Sequence, residues 1–294
     1  MPEQTSSFEI NQPVRTVEIN HLKIGGDSSF HFLKENSNTA KPLYALELNI
    51  FDTSEMPDVV KKEFYGTAFD IVKSAQNTNC DILCLKFNIG EDKNNIQSAK
   101  DLLKKLLPLI EKPLMIRGVN NFEIDGELLP ALIEILDREA IIAFAEEKTY
   151  KNIVPSVIKG NHVLVIRTPI DINLAKEMNI LTTDMGLSPD KILIDTDMGG
   201  LGYGLEYGYS IMERIKLAGF EGDVKLNMPL IAFVGEETFK TKETKSNAFS
   251  NSWGELDKRA KMFEITAASA ITAAGANVIV LNHPQSIQTL KGLC

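Results

Sequence analysis

The chain has 294 residues, and an α/β barrel of about 250 residues with a terminal extension would use that length well. Hydrophobic residues make up 44% and charged residues 24%, the balance of a globular protein that can bury a sizeable core. The formal net charge of −9 argues against nucleic acid or an anionic membrane surface as a partner, since both are bound through excess Lys and Arg.

The opening MPEQTSSFEINQPVRTVEIN lacks the basic-then-apolar order of a signal peptide. No stretch reaches the about 20 apolar residues that a spanning helix needs. Cys80, Cys84 and Cys294 form no disulfide framework, so a reducing compartment, the cytoplasm, is expected. Residues 1–41 read as an N-terminal extension. VRTVEINHLKIGG suggests a small hairpin capping one end of the domain, with Gly25-Gly26 as the turn and FHFLKE as the second edge.

From residue 42 onward the pattern is regular. LYALELN (Leu43 to Asn49) is a buried strand, followed by a helix from about Pro57 to Gln76. DILCLKF (Asp81 to Phe87) is the second strand and NNIQSAKDLLKKLLPLI an apolar-periodic helix. PLMIRG, AIIAFAE, HVLVIR and KILIDT follow as strands, each with a helix after it, and Asp171 is a plausible N-cap. PLIAFVG (Pro229 to Gly235) is the seventh strand, with a long polar loop and a helix, and ANVIVLNH (Ala276 to His283) is the eighth. Short apolar runs with a helix in every gap describe a parallel sheet, and eight of them fit a (β/α)8 TIM barrel over residues 42–294. Periodicity does not prove closure, so an open doubly wound sheet is the alternative.

In a barrel the loops after the strands converge on one face, where functional sites lie. The strand ends present Asn49, Asn88, Arg117, Glu146, Arg167, Asp195, Asp197, Glu236, Asn282 and His283, any of which could instead cap a helix or solvate the rim. The most unusual stretch is DTDMGGLGYGLEYG (Asp195 to Gly208). Its glycines permit positive φ and close approach to a ligand or partner. It follows a late strand with the wrong spacing for a dinucleotide fingerprint, and no Gly-Lys-Ser/Thr follows for a P-loop. No CxxC pair, HExxH or Gly-x-Ser-x-Gly occurs, so the chain offers a binding rim more readily than a catalytic or metal constellation. Trp253 and Phe249 in the loop after the seventh strand are candidates for partner contact or for packing back on the barrel.

TPIDINLAKEMNIL (Thr168 to Leu181), IDTDMGGLGYGLEYGYSIMERIKLA (Ile194 to Ala218), GGDSSFHF (Gly25 to Phe32) and VIVLNHP (Val278 to Pro284) resemble the small (delta) subunits of corrinoid iron–sulfur proteins. These belong to the carbon monoxide dehydrogenase/acetyl-CoA synthase system, and the resemblance extends over nearly the whole chain. It implies a (β/α)8 barrel paired with a large subunit that carries a [4Fe–4S] cluster, with a cobamide between that subunit and the loop face of this one. It further implies a methyl carrier of the reductive acetyl-CoA pathway, loaded by a methyltetrahydrofolate or tetrahydropterin methyltransferase and unloaded at acetyl-CoA synthase. Carried onto this chain, Asp197, Gly199, Gly200, Gly202, Tyr203 and Gly204 are the first candidates for contacts near the corrin. Arg167, Asn282 and His283 complete the cofactor-binding set, with no catalytic or metal-ligating residue assigned. The alternative is a methyltransferase barrel binding a methylated pterin in its own mouth, with Asn49, Asn88, Asp195 and Asp197 as hydrogen-bonding groups. A third reading is a structural homologue that dimerises through the same face without a corrinoid.

Overall fold

The computed structural model describes residues 12–30, 40–198 and 204–293. Eight parallel strands close into a barrel, which decides between closure and an open sheet. They are β3 (Leu43–Asn49), β4 (Ile82–Lys86), β5 (Leu114–Arg117), β6 (Ala140–Ala145), β7 (Val163–Arg167), β8 (Ile192–Asp195), β9 (Leu230–Ala232) and β10 (Val278–Leu281). The last strand pairs with both β9 and β3. The strands are almost wholly buried because helices cover their outer face and side chains fill the inside, which is why they read as continuous apolar runs.

The covering helices are α1 (Asp58–Lys61), α2 (Ala68–Gln76), α3 (Asn95–Leu106), α4 (Phe122–Ile133), α5 (Tyr150–Lys159) and α6 (Ile172–Asp184). After them come α7 (Leu205–Glu221), α8 (Val234–Thr238), α9 (Leu256–Ala273) and α10 (Pro284–Leu293). The structure departs from the sequence reading in two places here. The single helix expected from Pro57 to Gln76 is two, broken where Gly66 takes φ +92°. Thr67 and Asp70 then start α2 with a capping box, so the break also begins a new helix. β9 is shorter than expected because the chain turns into α8 at Val234, and Gly235 packs against Asn282 and Glu264 where a Cβ would not fit.

Two apolar layers follow from the alternation of strand side chains. Leu46, Leu83, Ile116, Ile142, Leu164 and Ile194 face the helices. Ala45, Cys84, Met115, Val165, Leu193 and Val280 fill the barrel, together with Val17, Ile19 and Ile24 of the N-terminal segment. Each fully buried Leu or Ile stabilises the fold by roughly 1.5–3 kcal/mol. Val17 and Ile19 lie on β1 (Thr16–Ile19) and Ile24 on β2 (Leu22–Gly25), an antiparallel hairpin. Its turn is Asn20-His21, with Asn20 at φ +52°, rather than Gly25-Gly26. Asn tolerates that conformation, and Gly25 instead ends β2 where a Cβ would strike the Arg15 carbonyl and the Pro229 ring. Residues 31–35 of the expected second edge lie outside the described residues.

Beyond the hairpin, the buried Asp27 carboxylate meets Lys216 of α7 at 2.7 Å. It also accepts from Asn277, while Lys216 donates to the Gly275 carbonyl at 2.7 Å.

Candidate functional site

The strand tips close the barrel interior with charge rather than with another apolar layer. Arg117, the last residue of β5, points inward, is fully buried, and donates to Glu47 of β3 and Glu236 of α8. Beside it Arg167, at the end of β7, donates to Asp195 of β8 at 2.6 Å. Both guanidinium groups stack on aromatic rings. Arg167 lies 3.4 Å from the Phe144 centroid and Arg117 4.6 Å from that of Phe233. The pairing of β6 with β7 slips between Ala143 and Ala145, and Phe144, the residue skipped, joins the interior cluster.

Arg117 and Glu236 hold each other in their charged forms. Burial by itself would weaken the Arg117 charge, but Glu236 and Glu47 more than offset it and hold the guanidinium above its ordinary value. Burial likewise opposes the Glu236 carboxylate, yet Arg117 and Lys86 keep it well below the usual range. Asp195 and Glu146 go the other way: burial pushes both up, against the pull of Arg167.

Above this floor, on the side of β3, β4, α8 and β10, a cleft of about 460 Å³ opens at the barrel mouth. Glu47, Asn49, Lys86, Glu236, Lys240 and Asn282 supply its polar lining. Lys86 stands 3.6 Å from Glu236, and Asn282 donates its side-chain amide to the Glu47 carbonyl at 3.1 Å.

The candidate residues separate into groups. Arg167 belongs to the floor and Asn282 to the cleft. Asp197 sits half-buried at φ +47°, its backbone N–H donating to Asp195 at 3.0 Å, and Gly204 takes φ +111° just before α7. Gly199, Gly200, Gly202 and Tyr203 lie outside the described residues. His283 is turned away from the mouth: its Nδ1 accepts the Gln285 N–H at the start of α10, and its Nε2 lies 3.8 Å from Glu63. Among the groups the sequence reading did not single out are Glu47, Lys86, Phe144 and Phe233. The signal for the first two was a charged residue spaced two from another polar one inside a buried strand, Glu47 with Asn49 and Lys86 with Asn88.

On the loop face stand five exposed large apolar side chains, Tyr65, Phe122, Ile170, Tyr207 and Trp253. Phe122, Ile170 and Tyr207 lie in, or within three residues of, a segment leading from a strand into the next helix, Tyr65 lies between α1 and α2, and Trp253 lies between α8 and α9. Among the described residues no group of three or more His, Cys, Asp or Glu is arranged to hold a metal ion. No described helix is long and apolar enough to cross a membrane.

Comparison with solved structures supports the architecture. Dihydropteroate synthase from Xanthomonas albilineans in complex with 7,8-dihydropteroate superimposes with a TM-score of 0.60 at 12% identity, covering 88% of this chain and 95% of that one. The enzyme from Coxiella burnetii gives 0.56 at 11% identity, covering 96% and 97%. At these identities the likeness is one of fold alone. Curated relatives are closer in sequence. The acetyl-CoA decarbonylase/synthase complex subunit delta of Methanocaldococcus jannaschii is 30% identical over 279 residues, covering 92% of this chain and 68% of that protein. Those of Methanopyrus kandleri and Archaeoglobus fulgidus are each 25% identical, and the chain spans 68% and 63% of their lengths. The profile of the CO dehydrogenase/acetyl-CoA synthase delta subunit matches residues 15–272, and the chain belongs to that family.

Proposed function

We propose that this chain is the small, cobamide-facing subunit of a heterodimeric corrinoid iron–sulfur methyl carrier in the acetyl-CoA pathway, working in the cytoplasm. Family membership supports an accessory, carrier-side role. The observation that carries the reading further is the loop face itself. Exposed Tyr65, Phe122, Ile170, Tyr207 and Trp253 ring a rigid mouth, a surface suited to a flat, bulky cofactor and the protein that holds it. A cobamide, when bound, supplies the cobalt that carries the methyl group, and the [4Fe–4S] cluster belongs to the large subunit. This chain's own part is to cover one side of the cofactor. The Arg117–Glu236 and Arg167–Asp195 pairs fix the floor, and Asp197 and Gly204 allow close backbone approach at the rim. Its partners are the large subunit, a methyltetrahydrofolate or tetrahydropterin methyltransferase upstream, and acetyl-CoA synthase downstream.

Co-expression with a large subunit, followed by size-exclusion chromatography and the corrinoid absorption spectrum, tests this reading. A 1:1 complex carrying cobamide, weakened by Tyr203→Ala or Tyr207→Ala, is the expected result. No complex and no corrinoid would overturn it. A second reading, a barrel that itself binds a methylated pterin, is favoured by one feature, the polar cleft in the mouth. Saturable binding of methyltetrahydrofolate by the chain alone, with no affinity for a large subunit, would establish that reading instead.

A further inference from the structure

Two stripes of α9 meet different surroundings. Ala260, Glu264, Ala268 and Ile271 are buried against the barrel. On the flank, Met262, Phe263 and Ala267 recur one turn apart and, with Leu205 of α7 and Trp253 of the loop before α9, line a groove of about 540 Å³. Met262 is 52% exposed and Trp253 53%, so the apolar lining is open. Yet Trp253 is held in place. Arg259 donates to carbonyls on both sides of it and lies 4.9 Å from Phe249, whose ring meets that of Trp253 at 5.0 Å. A large aromatic side chain that stays half exposed in a pinned loop is a pre-organised anchor, with little ordering left to oppose binding.

Charge selects the occupant. The charged residues lining the groove are Lys258 and Arg259, and among the described residues neither pairs with a carboxylate. Two cations beside an apolar floor form a local positive site on a chain of net charge −9. An anionic lipid surface suits it poorly, because the floor is concave and the chain as a whole is acidic. We propose that this groove docks an acidic amphipathic helix of a partner protein. The helix sets an apolar ridge of i, i+4 side chains between Trp253 and Met262, and its carboxylates face Lys258, with the Arg259 charge behind it. The groove follows α9 on the outside of the barrel wall rather than entering the mouth, so its occupant is independent of the cobamide.

Trp253 is the only tryptophan of the chain, so its emission reads this groove directly. The test titrates the full chain with two synthetic peptides of about 18 residues, long enough to form helix, that share a leucine face, lack aromatic residues and carry either Glu or Lys on the other face. A saturable blue shift is expected with the Glu peptide and none with the Lys peptide, and added salt should weaken the binding. Met262→Glu and Lys258→Glu are expected to weaken it about tenfold or more, whereas Met185→Glu, exposed after α6, leaves it unchanged. Both groove residues are exposed, so melting with the wild type separates loss of docking from loss of fold. No shift with either peptide, an equal shift with both, or groove variants that bind as the wild type does would overturn the proposal. A shift with phosphatidylserine vesicles but not with the Glu peptide would overturn it too, and make the groove a lipid-facing surface. No large subunit takes part, so each of these outcomes leaves the carrier reading untouched.

Discussion

Arg117 shows how much rests on single residues in the mouth. Its guanidinium is the shared partner of two buried carboxylates, so Arg117→Met leaves Glu47 and Glu236 facing each other without it. Breaking a buried pair from one side costs about 3–5 kcal/mol, and an unfolding free energy lowered by that amount in a denaturant titration is expected. A loss under about 1 kcal/mol would mean that Lys86 and Lys240 suffice. Glu264 and His283 make a second residue-scale prediction, this time in pH. Burial raises Glu264 from 4.5 to about 7, so between those values the folded chain keeps a proton the unfolded chain has lost, and stability falls as pH rises. Burial lowers His283 from 6.5 to about 4, so over that range the unfolded chain holds the extra proton and stability rises with pH. The two slopes oppose each other where the windows overlap. In Glu264→Gln, stability is expected to climb with pH through the overlap, and in His283→Asn to decline. The wild type should lie between them, and three parallel curves from urea titrations at stepped pH would contradict the assignment.

At the scale of elements, Arg259 near the start of α9 organises the long loop after β9. It donates to the carbonyls of Glu243, Ser246 and Gly254 at 2.6, 2.6 and 2.7 Å, and lies 4.9 Å from the Phe249 ring. Arg259→Ala is expected to abolish hydrogen-exchange protection across residues 243–254 while leaving the barrel strands protected. Arg259→Lys should restore little, because one ammonium cannot reproduce a three-way planar fork. An unchanged exchange pattern would show that the loop holds itself. The strands were legible because burial on both faces leaves an uninterrupted apolar run. Two of the three misread elements, the end of β9 and the hairpin turn, share a cause in a deciding partner remote in sequence, whereas the helix break is local, with Asp70 filling the space a Cβ on Gly66 would need. Gly66 shows its helix break only through a positive φ, β9 ends where Gly235 meets Asn282 and Glu264, and the hairpin turn falls on Asn20 because Gly25 is needed against Pro229. The same limit applied to the site. Sequence marked the strand ends as polar, but not that Glu47, Arg117 and Glu236 from three elements form one layer, nor that His283 faces away.

For the molecule as a whole, the N-terminal segment and α7 are tied together at a distance from the mouth. Asp27 and Lys216 are both fully buried, Gln12 donates its side-chain amide to the Gly219 carbonyl at 3.1 Å, and Phe30 meets Phe220 edge-on at 5.7 Å. Lys216→Met leaves Asp27 buried without its cation and is expected to cost about 3–5 kcal/mol. Limited proteolysis should then cut first within residues 12–30, before any strand of the barrel. Simultaneous cleavage everywhere would mean that the segment and the barrel unfold as one unit.

Trp253 is the single tryptophan of the chain, 53% exposed, with its ring centroid 5.0 Å from that of Phe249. The ultraviolet emission of the folded protein is therefore a report from one spot beside the mouth. A partner docking there would shift the colour of that light, and a chromophore arriving within energy-transfer range would dim it. Events at the hairpin end would leave it almost untouched, so the chain carries its own optical gauge of which face is occupied.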